Sequence, residues 1–383
     1  MREKEGGMIK ILVVGVSDKV GGIETFFYGL FKEKNEDCDV SFLTFSKKCA
    51  FEDEYVRNGY TIYHLPTRRS LPLTFSKIIK DFYKKYNDFD FIWVNTASTS
   101  MYELQYYGKR ITNAQIITHS HGIAIEKTSG NFLYVINNLL SKINYYKVIK
   151  STDLFFCCSK MAGIALFGEK YQERLTIINN GIETEKYKYN LGYRNEIRES
   201  LNISADTLVL AVIGRLSGVK NPIKSIDVFK ELHSKHPDSL MLLVGDGELM
   251  GSVQERVAFH GLEANVKILG LRNDVNKILS AVDILLMPSL FEGLPLSAIE
   301  AQASGVKGVL SDTITEEVAI TDLIHFLSLK ESNTIWADYI LKNCIDIRDR
   351  DVYAEAVRRA GYDKASTLSK VVQMLECEKN SRG

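Results

Sequence analysis

Short continuous apolar runs alternate with helix-period segments along this chain, and the alternation occurs twice; no other feature restricts the fold as much. In the first half the runs are IKILVV (9–14), VSFLTF (40–45), TIYHL (61–65), FIWVN (91–95), QIITH (115–119) and LFFCC (154–158). In the second half they are LVLAVI (208–213), LMLLV (240–244), VKILG (266–270), ILLM (284–287) and VKGVL (306–310). A strand that is apolar on both faces must be covered on both, and the crossover helices of a parallel sheet supply that cover. Amphipathic segments at 222–235, 273–282 and 295–304 suit the role. The pattern predicts an α/β protein with two parallel sheets, each covered by helices on both faces, with strand carboxyl ends at a shared cleft.

A length of 383 residues suits two domains of ordinary size. The seam falls in TIINNGIETEKY (176–187), where NNGIE is turn-forming and a polar run follows. The predicted domains are therefore 1–180 and 181–354. The segment 351–376 reads as one long helix with Tyr353, Ala356, Val357, Ala360, Leu368, Val371, Val372 and Leu375 as its apolar positions, able to cap either domain.

Net charge is zero, so no global field recruits nucleic acid. The balance is uneven, however: residues 1–180 carry 24 Lys/Arg against 19 Asp/Glu, and the remainder 24 against 29. A basic half makes a specific anionic surface worth considering. Cys38, Cys49, Cys157, Cys158, Cys344 and Cys377 show no spacing that would hold a metal. MREKEGGMIKILVV lacks the form of a signal peptide, and no apolar stretch reaches membrane-spanning length. The expected setting is reducing and cytoplasmic.

In open α/β sheets ligands gather outside the strand carboxyl ends. After IKILVV, Gly21 and Gly22 open a helix whose free amides and dipole favour an anion. After QIITH come His119, Ser120, His121 and Gly122; by strand alternation the two histidines share a face. After LVLAVI, GRLSGVKNP sets Arg215 and Lys220 beside a helix start at Pro222, a pair able to hold a diphosphate. GDGEL (245–249) is nucleotide-like but lacks the third glycine and distal acid of a dinucleotide fingerprint. After DILLM, LFEGLPLSAIEAQASG (290–305) places Glu292 in a loop and Glu300 about one and a half turns into a helix. Pro295 is predicted in its first turn, with Leu296, Ile299 and Ala303 as its buried stripe. Acceptor-only carboxylates suit a hydroxyl-rich ligand.

Taken in order, GGIE, THSHG, CCSK, IINNGIE, GRLSGVKNP, LLVGDGEL, LGLRNDV and PSLFEGLPLSAIEAQASG resemble retaining glycosyltransferases of the two-domain GT-B kind, family 4, and among them bacterial capsule and exopolysaccharide enzymes. The resemblance covers nearly the whole chain and implies two Rossmann-like domains, each a doubly wound parallel sheet. It implies that Arg215 and Lys220 neutralise the diphosphate of a nucleotide sugar, most simply a UDP sugar. Main chain at Leu271 and Arg272 would hold the base, Glu292 the donor sugar with the amides of Gly293 and Leu294, and Glu300 the ribose. Gly21 and Gly22 would let donor phosphate or acceptor approach. His121, or alternatively His119, corresponds to the family's active-site histidine, with His119 and Asn95 toward the acceptor. A final helix, about 355–383, would cross back to the N-terminal domain.

No cofactor or metal is expected, since cations would replace the metal. The expected partners are a nucleotide sugar and an oligosaccharide or lipid-linked acceptor, not nucleic acid. Segment 127–150 holds Lys127, Lys142, Lys147 and Lys150 with Phe132, Tyr134, Tyr145 and Tyr146 and no acid, which points to peripheral contact with the inner face of a membrane. Gln302, Ser304 and Lys307 depart from the family's usual run and are expected in a loosely held position. The alternatives are a sugar-nucleotide epimerase on the same architecture and a non-catalytic glycan- or nucleotide-binding subunit.

Overall fold

A computed structural model describes residues 8–34, 36–122, 132–343 and 349–381, with residues 132–138 as backbone. The chain divides into two compact units, Met1–Gly181 together with Lys364–Gly383, and Ile182–Asp363.

The first unit is built on seven strands: β1 (Ile9–Val16), β2 (Cys38–Thr44), β3 (Thr61–His64), β4 (Phe91–Asn95), β5 (Gln115–Ser120), β6 (Leu154–Cys157) and β7 (Leu175–Ile177). They pair in parallel in the order β3-β2-β1-β4-β5-β6-β7. Reversal of strand order beside β1 makes the sheet doubly wound, and its central strands are buried on both faces as their apolar runs predict. Ile11 and Val13 of β1 join Phe27, Phe42 and Trp93 on one side. Leu12 and Val14 join Phe75, Ile79 and Ile116 on the other.

The second unit repeats the plan with β8 (Leu208–Ile213), β9 (Ser239–Val244), β10 (Val266–Gly270), β11 (Ile284–Met287), β12 (Lys307–Ser311) and β13 (Ile324–Leu327). The order is β10-β9-β8-β11-β12-β13, again parallel throughout. Val209 and Ala211 face one core, with Leu242 and Leu285. Leu208, Leu210 and Val212 face the other, with Met241 and Trp336.

Two strands and one helix depart from the sequence reading. β7 and β13 have three and four residues and are only partly buried, so neither produces a strong apolar run. The expected single helix over 351–376 is instead two. A helix at Tyr353–Val357 belongs to the second unit, and Lys364–Asn380 belongs to the first. Between them Gly361 takes φ 85°, a left-handed conformation that glycine adopts without Cβ strain and that ends a right-handed helix. The apolar positions divide accordingly: Val357 packs with Leu285, whereas Val371, Val372 and Leu375 pack with Phe27 and Trp93. Lys379 Nζ reaches Asp90 at 2.8 Å, fastening the last helix to the first sheet.

The helix after β11 also differs in detail. It runs Leu296–Ala303 with Pro295 as its N-cap residue, and it is buried through Ala298, Ile299, Ala301, Gln302 and Ala303 rather than along one stripe. Gln302 is not loosely held. It is fully buried, its Nε2 donates to the carbonyls of Ala298 (3.1 Å) and Val318 (2.8 Å), and its Oε1 accepts from Ile320 N (3.1 Å), Thr321 N (2.9 Å) and Thr321 Oγ1 (3.0 Å). Ser304 is likewise buried, its Oγ donating to Tyr187 O at 2.5 Å. Gln302→Ala removes five side-chain hydrogen bonds and leaves Thr321 N–H without its acceptor, so it should cost the second unit about 2–4 kcal/mol in denaturant unfolding. A loss below about 1 kcal/mol would contradict the assigned hydrogen bonding.

Candidate functional site

In the second unit the ends of β8 and β9 approach too closely for side chains. Gly214 and Gly245 both take φ +140°, and a Cβ on Gly245 would stand 1.9 Å from Gly214 O. The same crowding recurs at Gly247, whose Cβ would meet Leu216 O at 2.4 Å. Beside these glycines opens a cavity of about 480 Å³, walled by Ile213, Gly214, Val244 and Gly245 and by Leu271 and Arg272 after β10. Its lining is mainly backbone and aliphatic carbon, with Arg215 at the edge. A flat, partly apolar group such as a nucleobase suits such a slot.

Next to the cavity, two loops are tied by hydrogen bonds to main-chain carbonyls. Leu290 N donates to Val219 O at 2.7 Å, and Asn221 Nδ2 donates to Pro288 O at 3.1 Å. The tie brings Lys220 Nζ to 2.6 Å from Glu292 Oε1, with both side chains mostly covered. Ser289 Oγ donates to the same oxygen at 2.8 Å, while Ser289 O accepts from Ser311 Oγ (2.5 Å) and Thr313 Oγ1 (2.8 Å). Glu292 is therefore held from β12 as well as from Lys220, and it does not cap the following helix. Lys220 lies over Gly214, its Nζ 3.5 Å from where a Cβ would be, so the ammonium sits at the cavity's edge. The structure thus brings Lys220 and Glu292 together beside the cavity that Arg215, Leu271 and Arg272 line.

The other cations are engaged more loosely. Arg215 is exposed and its Nε donates to Glu248 at 3.2 Å; a solvent-exposed pair of this kind is worth about 1 kcal/mol or less, leaving Arg215 free to turn to an anion. Arg272 donates twice to Asp274, at 2.8 and 2.6 Å, and that bonding raises its pKa. Gly293 is half-buried with nothing within 4 Å of a Cβ position, and Leu294 leans on the core. Glu300 is half-buried and hydrogen bonds the Tyr187 hydroxyl. Burial, then the Glu300 charge and that hydrogen bond, raise the Tyr187 pKa. Tyr187 was not singled out from sequence; its place in IETEKY, far from Glu300 along the chain, gave no cue.

In the first unit the helix Gly22–Phe31 starts at Gly21 as expected. A Cβ on Gly22 would meet nothing within 4 Å, so no protein contact demands glycine there. Glu24, unnoticed in GGIE, is buried and accepts from Ser17 N (2.9 Å) and Ser17 Oγ (2.8 Å), which shapes the loop after β1.

His119 and His121 do share a face, with ring centroids 3.8 Å apart. Their surroundings differ. His119 is wholly buried, and Trp93 Nε1–H donates to its Nδ1 at 3.2 Å, which puts the neutral ring's proton on Nε2. His121 is half-buried and its Nε2 lies 2.9 Å from Asn95 Oδ1. Asn95 Nδ2 is committed to Val14 O at 2.8 Å, so Asn95 can only accept from His121, whose proton is thereby fixed on Nε2. Asn95 thus orients His121 from within the sheet. His121 is the more open of the two rings.

Burial lowers both histidine pKa values, that of His121 to about 3 and that of His119 well below the ordinary 6.5, the latter helped by His121. Both are neutral when folded but protonate near pH 6.5 when unfolded. Their contribution is therefore complete above pH 6.5 and is lost as pH falls from there toward the folded values. Unfolding free energy should decline from pH 6.5 to 4 by up to about 1.4 kcal/mol per pH unit for each buried histidine. His119→Gln should flatten that decline; an equal slope in wild type and variant would contradict it.

Two family models match the chain. Residues 20–186 match Glycosyltransferase Family 4, and residues 193–358 match Glycosyl transferases group 1. The chain is a glycosyltransferase, a family 4 domain followed by a group 1 domain. It is 28% identical over 364 residues to EpsF of Bacillus subtilis, which carries a provisional glycosyltransferase designation, covering 92% of this chain and 93% of that one. It is 25% identical over 315 residues to the Escherichia coli UDP-Gal:alpha-D-GlcNAc-diphosphoundecaprenol alpha-1,3-galactosyltransferase, covering 79% of each. Anabaena HepE, solved in complex with UDP, superposes with TM-score 0.75 at 19% identity over 96% of this chain and 100% of its own. That likeness establishes the GT-B fold. Among the described residues no helix is long and apolar enough to cross a membrane. In the segment expected at a membrane, Lys127, Phe132 and Tyr134 lie outside the described side chains.

Proposed function

We propose that the protein transfers a sugar from a UDP sugar to a hydroxyl of a lipid-linked saccharide during bacterial surface-polysaccharide assembly, with retention of anomeric configuration. The observation that carries this reading is the Lys220–Glu292 pair at 2.6 Å beside a cavity closed by Gly214 and Gly245. A cation and an acceptor-only carboxylate, held by adjoining loops, match the two halves of the donor: diphosphate and sugar hydroxyls. The UDP complex of HepE and the diphosphoundecaprenol acceptor named for the Escherichia coli relative supply the choice of base and acceptor class.

In the proposed reaction the bond from the sugar's anomeric carbon to the diphosphate breaks, and negative charge grows on the departing oxygen. Lys220 and Arg215, with the amides of Gly293 and Leu294, stabilise that charge. The acceptor oxygen attacks from the same face, and its proton passes to the leaving phosphate. Glu292 orients the sugar being moved and Glu300 the ribose being left. His121, neutral and fixed by Asn95, positions substrate and takes no part as an obligatory base. No metal is required in this scheme, because the two cations perform the neutralisation.

A thermal-shift panel of UDP, GDP and dTDP and their sugars tests the donor assignment, since a ligand of the native state raises apparent stability. UDP and its sugars should raise the midpoint most. A larger shift with GDP or dTDP sugars would overturn the choice of base.

A further inference from the structure

Within the second unit the short segment Thr184–Tyr187 is bonded to two helices, Val275–Ala281 and Leu296–Ala303. Asn276 Nδ2 donates to Lys186 O at 3.2 Å, and Val275, its neighbour at the start of that helix, lines the cavity. Ser304, at the end of the other helix, donates through Oγ to Tyr187 O at 2.5 Å. One turn earlier on the same face stands Glu300, whose carboxylate accepts from the Tyr187 hydroxyl. Tyr187 therefore holds the Glu300 helix at two points, by its carbonyl and by its hydroxyl. Its ring packs against the core that contains Ile278, Leu279 and Ile299.

The ring alone would meet the needs of that core, and the hydroxyl adds only its bond to Glu300. That bond runs one way, because a carboxylate only accepts. Burial and the Glu300 charge also keep the hydroxyl protonated. The last torsion of a glutamate is broad, so a carboxylate's plane is settled by its hydrogen bonds rather than by its rotamer. The plane in turn decides where the lone pairs point. A ribose presents two neighbouring O–H donors in a fixed relation, which only a suitably turned carboxylate can accept together.

We propose that Tyr187 is a positioning residue whose hydroxyl sets the plane of the Glu300 carboxylate to accept from the vicinal 2′- and 3′-hydroxyls of a ribonucleotide, so that the donor site selects ribose over deoxyribose. This role of Tyr187 rests on Glu300 holding the ribose, as in the proposed reaction. Tyr187 acts through Glu300 and not on the reacting atoms. Its effect should appear in nucleotide selection rather than in the chemical step.

The test is calorimetric titration of UDP and of 2′-deoxy-UDP into the full chain, for wild type, Tyr187→Phe, Glu300→Gln and the double variant. Wild type should bind UDP about tenfold or more tightly than 2′-deoxy-UDP, since a hydrogen bond to a charged acceptor is lost. Tyr187→Phe keeps the buried ring, and denaturant unfolding checks that it folds. It should weaken UDP about three- to tenfold and change 2′-deoxy-UDP by less than about twofold, so that the preference shrinks. Glu300→Gln should shrink the preference at least as far, and Tyr187→Phe should add nothing in that background. A preference kept in Tyr187→Phe but lost in Glu300→Gln would overturn the role of Tyr187 while leaving Glu300 on the ribose. Equal weakening of both nucleotides by Tyr187→Phe would reduce the residue to packing and overturn it likewise. A preference unchanged in Glu300→Gln, or absent from wild type, would remove Glu300 from the ribose and Tyr187 with it.

Discussion

In Lys220→Ala, sugar transfer should fall about 10²–10³-fold, the range seen when one preorganised stabiliser of developing negative charge is removed. Lys220 pairs with Glu292 at 2.6 Å and lies over Gly214, which lines the cavity. Its loss acts most on the transition state, where the diphosphate bears more charge than in the bound donor, so kcat should fall more than KM changes. The fold should lose less than the reaction does. Both side chains are mostly covered, so leaving Glu292 without its cation costs about 1–3 kcal/mol, offset in part because the carboxylate keeps Ser289 as donor. A modestly lowered unfolding midpoint with strongly reduced turnover is therefore expected, and Lys220→Arg should recover part of both losses. Unchanged turnover in Lys220→Ala would remove Lys220 from the mechanism.

Gly245→Ala should do the reverse, acting first on structure. The residue takes φ +140°, outside the range that L side chains adopt, and its Cβ would lie 1.9 Å from Gly214 O. The obstacle is backbone, not a side chain that can swing aside, so β8 and β9 must separate at their carboxyl ends. Strain of this kind belongs with the largest single-residue effects, about 3–5 kcal/mol. The second unit should unfold at markedly lower denaturant, and the folded fraction should show a weakened UDP-induced shift because the cavity wall has moved. Wild-type stability together with wild-type UDP response would contradict the close approach.

The fold was legible because its strands announce themselves. Runs such as LVLAVI and FIWVN are apolar on both faces, which only a covered parallel sheet satisfies. Marginal elements were not legible: β7 and β13 are short and half-exposed, and nothing in LTI or IHFL distinguishes an edge strand from a loop. A single helix over 351–376 was expected because apolar spacing carries no warning of a left-handed glycine, and Gly361 sends its two halves to different units. The strand-end rule pointed to Arg215, Lys220, Glu292 and Glu300, of which the structure pairs Lys220 with Glu292 and sets Arg215 in the cavity wall, but it did not reveal what holds them. Ser289, Tyr187 and Trp93 act through contacts made by folding, and Ser289 alone lies within a recognised motif. Gln302 shows the opposite limit. Departure from a family's usual residue suggested looseness, yet the amide satisfies both ends of a buried turn.

The measurement that bears most directly on the account is an NMR determination of the product's anomeric configuration after incubation of wild type and Lys220→Ala with a UDP sugar and a lipid-linked saccharide. The account predicts an α-linked product from an α-linked donor, formed with release of UDP and about 10²–10³-fold slower in the variant. A β-linked product would contradict retention, and an isomerised UDP sugar formed without acceptor would contradict glycosyl transfer itself.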